Sequence, residues 1–107
     1  MYVTTARYPT AHASKYLQQL CKHFAHKVEV EHDETAGRCA LMSGVAELRA
    51  EADALHVRIT AEDPKSVIQT RFAIDSHLVT FAHREGFLGL VWQMEPASGA
   101  AANAEGA

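Results

Sequence analysis

The fold is decided by a stretch of strict alternation at residues 46–60, AELRAEADALHVRIT. Apolar and polar side chains exchange at every position on both sides of Asp53-Ala54, which predicts two half-buried strands joined by a turn. Strands of this kind have one face against a core and one face toward water, as in antiparallel sheets. We therefore expect a meander whose outer face carries charged residues such as Glu47 and Arg58.

Two helices are predicted, one on each side of this meander. In the first, Ser14 suits the N-cap, and apolar residues recur at spacings of three and four, namely Leu17, Leu20, Cys21 and Phe24. The second is expected from about Pro64 to His83, with Asp63 as its N-cap and Gly86 as its stop.

Further strands are predicted at both ends of the chain and before residue 46. Residues 2–9, YVTTARYP, are rich in β-branched and aromatic types, and residues 28–42 contain alternating stretches around a turn at Gly37. A last strand is expected over Phe87–Met94, with alternate large side chains on one face. The predicted element order is β-α-β-β-β-α-β, which is an α+β fold with two layers: a mostly antiparallel sheet and two helices on one of its faces.

Length and composition indicate one domain. A chain of 107 residues, 48% apolar and 21% charged, suits a single globular core. We expect that domain to span residues 1–95, and residues 96–107 to form a disordered tail because they include no large side chain to bury.

The charge and hydropathy patterns argue against several classes of function. A net charge of −3 without a Lys/Arg cluster disfavours nucleic-acid binding, and no apolar run approaches the roughly 20 residues of a membrane helix. Because residues 1–7 lack the apolar core of a signal peptide, we expect a cytoplasmic protein. Cys21 and Cys39 are then expected to be reduced, buried thiols.

The first helix ends in the run KHFAHK, residues 22–27. Helical geometry places His23 at the edge of the apolar stripe and His26 nearly opposite it, where a ligand could reach them. The candidate ligand-binding residues are Tyr16, Lys22, His23, His26 and Lys27. Three interpretations stay open: a solvated basic flank, a site for a carboxylate or other anion, and a transition-metal site formed by His23 and His26, which His77 would join if the two helices pack side by side.

The second helix has two apolar rows with Arg71 and Asp75 between them. These two residues are four positions apart and can pair. They are either a structural feature between rows that face different neighbours, or the polar floor of a cleft in which an enzyme could act. The sequence contains no GxSxG, HExxH, GxGxxG or Walker motif, so any cofactor stays unknown and a function other than catalysis is favoured.

Two segments resemble a bacterial family known as domain of unknown function 2218. They are SKYLQQLCKHFAHK at residues 14–27 and HLVTFAHRE at residues 77–85, followed by a closing strand with Trp92-Gln93, and the resemblance spans roughly residues 5–94. This chain departs from the family pattern at Phe24, where the family has Trp, and at His83, where it has an aromatic residue. The family assigns no catalytic residues.

The resemblance implies a small intracellular bacterial protein. Some relatives are joined to, or encoded beside, siderophore-interacting flavin reductases, which implies a supporting role in iron–siderophore metabolism and such a reductase as a partner. Our hypothesis is a binding or accessory module; the alternatives are a protein that handles iron or zinc through its helix histidines and an enzyme acting near Arg71 and Asp75. An exposed edge strand would also permit a homodimer.

Overall fold

In the computed structural model, two helices lie on one face of a six-stranded sheet. The structure describes residues 1–95, so the tail predicted at residues 96–107 lies outside the described residues. The helices are α1 (Ala13–Phe24) and α2 (Pro64–Phe81). The strands are β1 (Tyr2–Pro9), β2 (Val30–His32), β3 (Ala36–Leu41), β4 (Gly44–Ala50), β5 (Ala54–Ala61) and β6 (Gln93–Glu95). The predicted two-layer α+β class is confirmed.

Four strands, not three, separate the two helices, so the predicted element order is one strand short. β2 and β3 form a separate hairpin around a tight turn. The Asp33 carboxylate closes this turn by accepting hydrogen bonds from the backbone N–H of Thr35 (2.8 Å) and of Ala36 (2.9 Å).

The alternation at residues 46–60 forms the paired strands that it predicts. On the helix side, Leu48 lies opposite Val57, and both are buried. On the outer side, Glu47 lies opposite Arg58, and the two form an ion pair at 3.3 Å. The sheet therefore has one dry face and one charged face, as a period of two requires.

The strand order is β2-β3-β4-β5-β1-β6, with every neighbouring pair antiparallel. The N-terminal strand β1 therefore lies between β5 and the C-terminal strand β6. Thr4 of β1 lies opposite Ile59 on one side and opposite Met94 on the other. Both ends of the described chain thus meet at one side of the sheet.

α1 buries the stripe that its spacing predicts. Leu17, Leu20 and Cys21 are fully buried. The helix begins at Ala13, with His12 at the N-cap position, rather than at the predicted cap Ser14. Ser14 instead donates to the Glu34 carbonyl at 2.6 Å, because that carbonyl lies within reach at the turn after β2.

Both cysteines are buried, as predicted, and their Sγ atoms are 3.8 Å apart. β3 approaches α1 closely at this point. A Cβ atom placed on Gly37 would lie 2.6 Å from the Cys21 sulfur, so this strand position has no room for a larger residue.

The region after α2 differs from its prediction. α2 ends at Phe81, a short 3-10 turn follows at His83–Glu85, and Gly86 takes the left-handed conformation at φ 75°. The last strand is limited to Gln93–Glu95, because Leu90 and Trp92 are hydrogen-bonded to Asp75 of α2 and do not extend the sheet. Over residues 1–95, neither helix combines the length and the apolar character needed to cross a bilayer.

Candidate functional site

The predicted basic residues form an exposed group at the C-terminal end of α1. Lys22, His23, His26 and Lys27 are all exposed, and we call this group the basic end of α1. The helix ends at Phe24, and the next residues continue in turns: His26 N–H donates to the His23 carbonyl at 3.3 Å, and Lys27 N–H donates to the Phe24 carbonyl at 3.0 Å. The short turn keeps both histidines close to the same helix end.

His77 of α2 lies beside His23, because the two helices pack against each other. Their ring centroids are 4.4 Å apart, and the Phe24 ring lies 4.9 Å from that of His77. The His77 Nδ1 atom lies 2.6 Å from the Ala73 carbonyl, which can only accept a hydrogen bond. In the neutral ring, Nδ1 therefore holds the proton, and Nε2 carries the lone pair that a ligand could use.

The basic end of α1 is not neutralised by carboxylates of the described chain. All five ion pairs found within residues 1–95 join Arg or His residues of the sheet strands to carboxylates, and none includes Lys22 or Lys27. Partial desolvation lowers the pKa of His23, and the positive charges of His77, His26 and Lys27 lower it further. His23 is therefore easily kept neutral while its surroundings stay positive.

The three predicted metal candidates do not all converge. His23 and His77 come together, whereas no ring contact joins His26 to either of them within the described part of the chain. Residues 1–95 also contain no group of three His, Cys, Asp or Glu side chains arranged to hold a metal ion. A metal ion at this place would have two protein ligands, with water completing its coordination.

Tyr16 is not part of the basic end of α1, contrary to its inclusion among the candidate binding residues. Its side chain is 4% exposed, because position 16 belongs to the buried stripe of the helix. The Tyr16 hydroxyl donates to the carboxylate of Glu85. Tyr8 donates to the same carboxylate at 2.8 Å, and Thr10 donates to both of its oxygens at 3.0 and 3.1 Å. Glu85 thus joins β1, α1 and the turn after α2.

Arg71 and Asp75 do not pair with each other, and the cleft predicted beside them is filled by the chain itself. Asp75 accepts hydrogen bonds from the Leu90 backbone N–H at 2.8 Å and from the Trp92 indole N–H at 2.9 Å. Arg71 donates from Nε to the Thr4 hydroxyl at 3.1 Å and lies over the Trp92 ring. Their role is therefore to hold the C-terminal segment, which a helix pattern alone could not indicate.

A groove on the outer face of the sheet was not predicted as a site. It has a volume of about 760 Å³, and its charged lining residues include Arg38, Arg49, His56 and Arg58. Three of these already pair with carboxylates: Arg49 with Glu51 at 3.4 Å, His56 with Glu51 at 2.9 Å, and Arg58 with Glu47. A ligand here would have to displace these pairs, so the basic end of α1 is the better candidate.

The chain is similar to a solved structure described as the NMR structure of PA4090 from Pseudomonas aeruginosa, with 29% sequence identity and a TM-score of 0.73. The match covers 87% of this chain and 96% of that one, so the two share the fold over nearly their whole lengths. No curated protein sequence matches at a significant level.

The family comparison confirms the resemblance inferred from the two helical segments. Residues 5–93 match the family described as "uncharacterized protein conserved in bacteria (DUF2218)". That range begins in β1 and ends in β6, and it includes both helices and the basic end of α1. The chain belongs to this bacterial family, DUF2218.

Proposed function

We propose that this protein is a small binding module whose ligand is a carboxylate-bearing molecule held at the basic end of α1. The observation that supports this most strongly is the unneutralised charge there, since four exposed basic side chains share one helix end and no ion pair of residues 1–95 includes the two lysines. Charge-assisted hydrogen bonds from such groups to a carboxylate are about twice as strong as neutral ones.

The family resemblance of the two helical segments implies an iron–siderophore setting, and within this proposal the ligand is a ferric carboxylate siderophore. The partner would be a siderophore-interacting flavin reductase. The proposal needs no catalytic residue in this chain. Its role would be to hold the ligand, while the partner carries out any chemistry.

Binding of citrate, measured by titration calorimetry, is expected to weaken at least fivefold in the double variant His23→Ala/His26→Ala. Because an anion favours protonated imidazoles, and the pKa of His23 is already lowered by burial and by neighbouring cations, affinity should rise as the pH falls below about 6.5. A ferric carboxylate siderophore should show the same dependence on the two histidines.

The matched control is His32→Ala, since His32 is exposed on β2, away from this helix end. It should bind citrate as the unmodified protein does. Equal citrate affinity in the unmodified protein and in the double variant, or no binding by either, would remove the proposal.

A second candidate function is the binding of a transition-metal ion by His23 and His77. The supporting observation is the 4.4 Å separation of the two rings, together with the Ala73 carbonyl that fixes the proton of His77 on Nδ1. Zn²⁺ and Fe²⁺ both accept neutral imidazole ligands, and the lowered pKa of His23 favours the neutral form.

Titration of tag-free protein with Zn²⁺ at neutral pH is expected to show one weak site that is lost in His77→Ala and kept in His83→Ala. Since the ion competes with protons, its affinity should rise with pH, opposite to the trend for citrate. A Zn²⁺ affinity that is the same in His77→Ala as in the unmodified protein would exclude this pair as the ligands.

A further inference from the structure

A large apolar surface on α2 faces away from the core. Ile68 is 64% exposed, Phe72 is 70% exposed and Val79 is 41% exposed. Their spacings of four and seven residues place them on one side of the helix, while Val67, Ile74 and Leu78 on the other side are buried. Of the two apolar rows predicted for this helix, one is therefore largely buried and the other is largely exposed.

The C-terminal segment extends this apolar surface. Asp75 holds Leu90 and Trp92, and one turn earlier on the helix Arg71 donates to the Met94 sulfur at 3.2 Å, so the segment runs antiparallel to α2. Its outward side chains are exposed, with Leu88 at 97% and Val91 at 78%. We call the combined surface the apolar stripe, which consists of Ile68, Phe72, Val79, Leu88, Val91 and Met94.

The size of the apolar stripe matches that of a protein interface. With Met94 at 48% exposure, the six residues together present an apolar area comparable to the ~800 Å² that each partner buries in a standard interface. The largest apolar patch on a typical monomer is only about 300–600 Å². The stripe is thus large enough for a stable association.

The edge strand β6 lies beside the apolar stripe and indicates that the partner is a second copy of this chain. Among the described residues, β6 is the last strand of the sheet on that side. If β6 pairs antiparallel with itself about Met94, Gln93 of one copy lies opposite Glu95 of the other, and an amide faces a carboxylate. Glu95 also lies 3.6 Å from Arg58, so its charge is already partly compensated.

We propose that two copies of this chain associate about a two-fold axis at Met94, with β6 paired to β6 and the apolar stripes covering the junction. Three residues of strand pairing are too few for stable association on their own, and the stripe supplies the apolar burial. Since both helices lie on the same face of the sheet, the stripes of the two copies come to the same side of the joined twelve-stranded sheet.

Sedimentation velocity is expected to show a dimer for the unmodified protein and a monomer for the double variant Ile68→Ser/Phe72→Ser. The matched control is Met42→Ser, which removes a side chain that is 99% exposed in the turn between β3 and β4. This control should remain dimeric. A monomeric unmodified protein at micromolar concentration, or a double variant that stays dimeric, would overturn the proposal.

The proposed register of the pairing between the two β6 strands can be tested separately. In antiparallel pairing centred on Met94, the two copies of that residue have Cα atoms about 4.5–5.5 Å apart, within the range for a disulfide. Met94→Cys should therefore form a covalent dimer under mild oxidation, while the native cysteines are buried and stay silent. The control Gln93→Cys should crosslink weakly, because the two copies of position 93 are not opposite. Equal crosslinking of both variants, or none in Met94→Cys, would contradict this pairing.

Discussion

Replacing Asp75 with alanine is expected to release the C-terminal segment from α2 and to lower the free energy of unfolding by about 3 kcal/mol, since hydrogen bonds to a charged group contribute roughly 1.5–3 kcal/mol each. The carboxylate accepts from the Leu90 N–H and from the Trp92 indole N–H, and no other contact gives these donors a partner in the described chain. In the variant, both N–H groups can bond only to water, and the C-terminal segment is no longer held against α2.

Two measurements check this result. Trp92 is the single tryptophan of the chain, so its fluorescence emission should shift to longer wavelength in Asp75→Ala as the indole becomes solvated. Amide hydrogen exchange in residues 87–95 should accelerate more than exchange in β4 and β5. The control Asp53→Ala removes a carboxylate with 78% side-chain exposure and should change stability by less than about 0.5 kcal/mol. Unchanged emission and exchange in Asp75→Ala would contradict the anchoring role.

Replacing Glu85 with alanine is expected to lower the free energy of unfolding by about 2–3 kcal/mol. For a domain of this size, that corresponds to a decrease of about 10 °C or more in Tm. Three hydroxyl groups, from Tyr8, Thr10 and Tyr16, donate to this carboxylate, and Tyr16 is buried. Removing the acceptor leaves the Tyr16 hydroxyl poorly hydrated. Thermal unfolding followed by circular dichroism measures the loss, with the exposed Glu62→Ala as the control.

The Glu85 contribution also depends on pH. Burial alone would raise the pKa of Glu85, but the hydrogen bonds from Tyr16, Tyr8 and Thr10 lower it below its ordinary value. The unfolded chain then binds the proton more readily, so the stabilisation is complete above the ordinary pKa and is lost as the pH falls through the folded one. The stability difference between the unmodified protein and Glu85→Gln should therefore be largest above the ordinary pKa of 4.5 and should shrink as the pH falls below it.

The tyrosines provide an independent readout of the same cluster. Burial, together with the hydrogen bond to Glu85 and its negative charge, raises the pKa of Tyr8 and of Tyr16 to about 12. In Glu85→Gln the burial remains but the charge is gone, so phenolate absorbance should appear at lower pH than in the unmodified protein. A titration curve identical in both proteins would show that the carboxylate does not hold these hydroxyls.

Much of the fold follows from local patterns. The alternation at residues 46–60 fixes which side chains of β4 and β5 face the helices, because a shift by one residue would expose every apolar side chain. The stripe of α1 is equally clear, and Gly86 marks the end of the helical region through its positive φ. The predicted N-cap of α1 and the predicted length of β6 were wrong, because each depends on a distant partner. Ser14 bonds to the Glu34 carbonyl, and Asp75 holds the residues before β6.

The candidate site was only partly accessible to sequence reasoning. Helical geometry correctly predicted that His26 is exposed, but Tyr16, which was included among the candidate binding residues, is buried. The meeting of His23 with His77 depends on how two helices 40 residues apart pack, and the Glu85 cluster joins residues that are 69–77 positions apart. No local spacing carries such information.

The sequence by itself determined the α+β class, the two faces of the central strands, the buried stripe of α1 and the basic character of its end, because these depend on periodicity and on residue chemistry within one element. Tertiary structure alone decided that β1 lies between β5 and β6, that Asp75 holds the C-terminal segment, and that residues 1–95 leave one row of α2 exposed. Each of these results from competition between distant groups for the same partner or the same surface, and it is settled only when the whole chain is folded.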